Sequence, residues 1–145
     1  MSTDGGLRAL YRKHLPGWQW TSIESGLTSP GVPDSEFCTP SGVTGWIENK
    51  TTTGWAVKLR ELQVGWIDRR ARLGGRVFVA VRRISPGGPR SSPADELWII
   101  PGHAVKDLCD GRLNKMRANQ VTTIQYAGPE AWNWDTVKGC LEKSL

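Results

Sequence analysis

The run Arg76-Val77-Phe78-Val79-Ala80-Val81-Arg82 constrains the fold of this chain more than any other stretch. It is apolar at every position from Val77 to Val81, whereas a strand with one face in water alternates, so it predicts a central strand covered on both faces. Upstream, Leu59, Leu62, Gln63, Trp66, Ile67 and Leu73 recur at helical intervals and stop at Gly74-Gly75. Before that helix, Gly45-Trp46-Ile47-Glu48-Asn49-Lys50 reads as another strand. Strand, helix and strand make a crossover unit whose strands should be parallel and joined with a right-handed turn. The expected class is therefore α/β, a central mixed sheet flanked by helices.

Gly31-Val32-Pro33-Asp34 precedes the Glu48 strand and is separated from it by a Pro-, Ser- and Gly-containing segment that predicts a hairpin turn centred near Ser41. Ser41 is equidistant from Asp34 and Glu48, so a regular antiparallel ladder makes the two carboxylates near neighbours. Because side chains alternate along a strand, Trp46, Glu48 and Lys50 share one face and Ile47 and Asn49 the other. Two acids and an ammonium then converge. Paired carboxylates repel unless neutralised, and a hard divalent cation such as Mg²⁺ uses such oxygen donors. The lysine can orient or deprotonate a water, or stabilise charge building on a phosphate. Pro-Asp alone is a common turn and Glu-x-Lys a common solvated pair, so the signal lies in their combination at this spacing.

A chain of 145 residues fits one domain over residues 1–145, burying about two-thirds of its unfolded surface. Lys and Arg number 19 against 14 Asp and Glu, a net charge of +5 with a pI near 9.4, which suits a polyanionic partner such as DNA. Cys38, Cys109 and Cys140 are an odd, widely spaced set without Cys-x-x-Cys, which argues against a disulfide framework or zinc site and for a reducing cytoplasm. No apolar run approaches membrane-spanning length and no signal-like segment opens the chain, so the expectation is a soluble protein without a membrane partner.

Leu7, Leu10, Tyr11 and Leu15 predict an amphipathic helix ending before Pro16-Gly17, and Trp18 to Glu24 a first strand. His14 has no evident partner there. Ser25 to Gly31 reads as a small-residue loop, either a solvated turn or a place where a phosphate backbone comes close. Gln63 interrupts an apolar stripe; it either satisfies backbone groups in the core or reaches Asp34, Glu48 and Lys50. Lys58, Arg60, Arg69, Arg70 and Arg72 give the helix a basic face, either solvated or a DNA track. Ile84 to Pro93 predicts a mobile loop that Arg82, Arg83 and Arg90 make basic, followed by a strand at Glu96 to Ile100, a short helix at Ala104 to Leu108, a strand at Val121 to Tyr126 and a C-terminal helix with Pro129 in its first turn. Of the tryptophans, Trp66 and Trp98 read as core, whereas Trp55, in a polar loop, is the candidate for an exposed contact.

Taken together, Gly31-Val32-Pro33-Asp34, Trp46-Ile47-Glu48-Asn49-Lys50, the Gln63-x-x-Trp66 helix and the apolar strand after it resemble the PD-(D/E)XK nuclease superfamily over roughly Trp18 to Arg83. The pattern is most similar to its VRR-NUC and phage Holliday-junction-resolvase-like branch. The resemblance implies a restriction-endonuclease-like core in which Asp34, Glu48 and the Asn49 carbonyl bind Mg²⁺ or Mn²⁺ and Lys50 handles the attacking water. Gln63 matches a glutamine found near such sites. The implied activity is endonucleolytic DNA hydrolysis, with junction DNA as a candidate substrate and a homodimer making paired cuts. Many members add an acid on the first helix, absent here between Leu7 and Leu15, and Glu24 is the candidate replacement. Polar Asn49 stands where an apolar residue is usual, suggesting a partly exposed strand or a hydrogen bond to Gln63. The competing class is a nuclease-fold module that binds nucleic acid without cutting it.

Overall fold

The computed structural model describes residues 4–24, 30–117, 121–124 and 128–143. Strands β1 (Gln19–Ser22), β2 (Ser35–Cys38), β3 (Thr44–Thr52), β4 (Val77–Ser85), β5 (Ala94–Pro101) and β6 (Thr122–Ile124) form one sheet in chain order. Helices α1 (Leu7–His14), α2 (Glu61–Arg72), α3 (Val105–Asp110) and α4 (Trp134–Glu142) flank it. β3 and β4 are parallel and all other neighbours antiparallel, so the sheet is mixed and α2 is the crossover between its two parallel strands.

β4 lacks alternation because both of its faces are covered. Phe78 and Ala80 pack with Leu7, Tyr11 and Leu15 of α1 and with Val137 and Leu141 of α4. Val77, Val79 and Val81 pack with Ile67 of α2 and with Val105 and Leu108 of α3. β3 divides its side chains between the same layers, Ile47 toward the first and Trp46 toward the second.

Several elements depart from the periodicity reading. α2 begins at Glu61 and buries Gln63, Ile67 and Asp68, which leaves Leu62 and Leu73 exposed at its two ends. Asp68 is buried because Arg72 and Lys106 neutralise it at 3.0 and 3.5 Å. The segment expected as a loop from Ile84 is strand through Ser85, and β5 resumes at Ala94. Cross-strand pairs zip these ends together: Arg82 grips Asp95 with two bonds of 2.9 and 2.7 Å, and Arg83 meets Glu96 at 2.7 Å. Both arginines are thus paired inward rather than making the loop basic.

Pro129 opens a short 3₁₀ turn ahead of α4 rather than the helix itself. His14 does find partners, stacking on Trp134 at 4.4 Å and lying 3.5 Å from Glu130. Residues 25–29, within the expected small-residue loop, and Tyr126 of the expected last strand lie outside the described residues. All three cysteines are free thiols, and no described helix is long and apolar enough to cross a membrane.

Candidate active site

The hairpin register follows from its turn. Ser35 pairs with Ile47 and Cys38 with Thr44, with Thr39, Ser41 and Val43 bonded within the loop. Continuing that register by one residue puts Asp34 opposite Glu48. Asp34 is also tied to the sheet through its carbonyl, which accepts the Ile23 amide at 2.8 Å. Gly31 sets the approach to this point: its φ is +91°, and a Cβ there would stand 2.3 Å from the Leu62 carbonyl oxygen at the start of α2. Only glycine allows that contact without strain.

Glu48 and Lys50 share the α2 face of β3, with the ammonium 3.5 Å from Glu48 Oε2. Glu48 is 4% exposed. Burial, reinforced by the neighbouring charge of Asp34, pushes its carboxyl up to about 7, against the opposing pull of Lys50 and of the Asp34 backbone amide. Asp34 is also raised, chiefly by burial, although hydrogen bonds from Asn49 and the charge of Arg8 act the other way. Both carboxyls thus hold a proton more readily than free ones, chiefly because burial removes water from their charged forms. A divalent cation fits this donor set, since two carboxylates and a backbone carbonyl are the hard oxygens that Mg²⁺ and Mn²⁺ take. Among the described residues, no group of three or more His, Cys, Asp or Glu is placed to hold a metal.

The remaining residues named from the sequence divide. Asn49 is 2% exposed and faces α1, not Gln63: its side chain bonds Asp34, Ser35 and Tyr11. Neither a partly exposed strand nor a bond to Gln63 accounts for its polarity. Gln63 is buried at the third position of α2, where its Oε1 accepts the Arg60 amide at 2.9 Å, the reciprocal half of a capping box. Its hydrogen bond goes to its own helix start and not to the acidic pair. Glu24 is exposed beyond the end of β1, where its charge is felt by Arg8.

The acid that comes close is Asp4. It is 4% exposed, accepts the Gly6 and Arg8 amides at 3.0 and 3.2 Å ahead of α1, and pairs with Arg8 Nε at 3.0 Å. Its charge contributes to raising Asp34. An aspartate two to four residues ahead of a helical stripe is a capping signal legible in the sequence. Its approach to Asp34 is not, because that depends on where α1 docks.

Trp55 is half-exposed, with Arg83 over its ring at 3.7 Å and Trp98 nearly perpendicular to it at 6.0 Å. A second half-exposed aromatic and basic group is formed by Arg70, which covers Trp66 at 4.4 Å and Trp46 at 5.5 Å, and Trp46 shares the face of Glu48 and Lys50. No protein-family model matches the chain, and no curated protein or solved structure matches it either.

Proposed function

We propose that this chain is a divalent-metal-dependent DNA endonuclease that hydrolyses phosphodiesters to 5′-phosphate and 3′-hydroxyl ends, acting on branched DNA as a homodimer. The observation that carries the reading is the convergence of half-buried Asp34 and buried Glu48 across the hairpin with Lys50 on the same face. Mg²⁺ or Mn²⁺, held by Asp34, Glu48 and the Asn49 carbonyl, would polarise a phosphate oxygen and lower the pKa of a bound water. Lys50 supplies a fixed positive charge where the attacked phosphate gathers negative charge. Arg70, stacked on Trp66 and Trp46, offers a preorganised guanidinium for the DNA backbone beside that face, and the surplus of 19 basic over 14 acidic residues favours a polyanion. Because protons compete for Glu48 up to about pH 7, cation binding and cleavage rise as pH increases through that value.

The test is incubation of purified protein with supercoiled plasmid and a four-way junction, with and without Mg²⁺ or Mn²⁺. The expected result is metal-dependent cutting, paired across the junction, by a species of dimeric mass. Salt-sensitive DNA binding without cutting in either metal would instead make the chain a non-catalytic binding module. That alternative draws on the lack of an acid within the first helix, from Leu7 to His14.

A further inference from the structure

A buried relay holds Asp34 from the side opposite α2. The Tyr11 hydroxyl donates to Asn49 Oδ1 at 2.6 Å, and Asn49 Nδ2 donates to Asp34 Oδ1 at 2.7 Å and to Ser35 Oγ at 3.1 Å. The Asn49 backbone amide adds a longer bond of 3.3 Å to the same Asp34 oxygen. Donor and acceptor chemistry fixes the amide's orientation. A carboxylate can only accept, so the NH₂ group must face Asp34, which turns the amide oxygen to the phenol. Tyr11 is 1% exposed and Asn49 2% exposed, so each would be costly to bury without the other. Burial also holds the Tyr11 phenol well above its usual value, with the charges of Asp34 and Asp4 adding to this, so it remains a donor.

We propose that Asn49 and Tyr11 are positioning residues for the candidate metal ligand: the relay pins Asp34 Oδ1 and leaves Oδ2, which has no hydrogen-bond donor among the described residues, to take the cation. The inference rests on the reading of Asp34 and Glu48 as a cation-binding pair. It gives a reason for a polar residue between Glu48 and Lys50. An apolar side chain there would pack against α1 but leave the Asp34 carboxylate held from this side only by the longer backbone bond. Tyr11 acts only through Asn49, since its ring is independently held by Trp20 at 4.7 Å and Trp134 at 6.5 Å.

The test is Mn²⁺ titration of the full chain without DNA, following free Mn²⁺ by electron paramagnetic resonance, for wild type, Asp34→Asn, Tyr11→Phe, Asn49→Leu and the double variant. Asn49→Leu is expected to raise the Mn²⁺ Kd by roughly 10-fold, in line with other residues that orient metal ligands. Tyr11→Phe, losing one hydrogen bond, should raise it about 5-fold. The double variant should be no weaker than Asn49→Leu, because both changes cut one relay. Unchanged affinity in folded Tyr11→Phe and Asn49→Leu, with binding lost in Asp34→Asn, overturns the relay and leaves the metal reading standing. Additive losses in the double variant also overturn it. If Asn49→Leu does not fold, Tyr11→Phe decides alone, unchanged affinity again counting against the proposal. A wild type that binds no Mn²⁺ overturns both the relay's role and the metal reading.

Discussion

Neighbouring strands of one sheet carry two different kinds of acid and base contact. Where β4 meets β5, each acid has its own guanidinium: Asp95 takes two bonds from Arg82, and Glu96 takes one from Arg83 at 2.7 Å. Where β2 meets β3, Asp34 and Glu48 lie together, and the ammonium of Lys50 reaches only Glu48, at the longer 3.5 Å. The first arrangement is balanced and holds a hairpin closed. In the second, Asp34 has no ion pair of its own among the described residues, Arg8 acting on it only as a nearby charge. Burial raises both carboxyls, the condition under which a cation or a proton is taken up. Similar residue types on adjacent strands thus serve stability in one place and a site in the other, and their stoichiometry distinguishes them.

The contrast breaks most sharply if charge is removed from the unbalanced pair. Asp34→Asn or Glu48→Gln should lower Mg²⁺-dependent cleavage by on the order of 10³-fold and Lys50→Ala by roughly 10²-fold, with DNA binding retained in gel-shift titrations. Full cleavage by Asp34→Asn protein would place the chemistry elsewhere. In the balanced pair the same kind of change should act on stability. Glu96→Ala leaves the Arg83 guanidinium, 11% exposed, without its anion, and should cost about 3–5 kcal/mol in denaturant melts. Cleavage per folded molecule should stay close to wild type.

The pH dependence sharpens the comparison further. Glu48 binds its proton more tightly folded, at about 7, than its ordinary value of 4.5, so between those values the native state holds more protons than the unfolded one. Metal-free stability should therefore fall as pH rises from about 4.5 to about 7, and Glu48→Gln should flatten that slope. At pH 8 this variant should be more stable than wild type by roughly 1–3 kcal/mol, the counterpart of its lost activity. Thermal melts in chelator across the pH range check this. A slope that survives Glu48→Gln would assign it to another group. The smallest effect concerns Gln63: as a capping residue, Gln63→Ala should lower stability by about 0.3–1.5 kcal/mol and leave cleavage near wild type. A large loss of cleavage with an intact melt would give Gln63 a part in the site that its bond to Arg60 does not suggest.

Much of this was legible because it depends on short-range geometry. The face shared by Trp46, Glu48 and Lys50 follows from the pleat, and the pairing of Asp34 with Glu48 follows from a turn centred on Ser41. The unbroken apolar run at Val77 to Val81 likewise identified the strand that both helix layers cover. Periodicity was less reliable at element ends, where Leu62 and Leu73 joined the stripe by spacing yet point to solvent. Residue charge misjudged Arg82 and Arg83, because a list of residues does not show that Asp95 and Glu96 will arrive opposite.

By itself, then, the sequence determined the strand, turn and crossover pattern and, through the fixed alternation of a pleated chain, the meeting of Asp34, Glu48 and Lys50. Only the tertiary structure decided what surrounds them. Tyr11 reaches Asn49 across 38 residues of chain, Asp4 comes near Asp34 because α1 packs where it does, and Glu24 is left outside in solvent. The elevated proton affinity of Glu48 belongs to the same class, since it arises from burial and from a neighbouring charge. Alternation is built into the covalent geometry of each residue, whereas docking and desolvation are properties of the whole packed core.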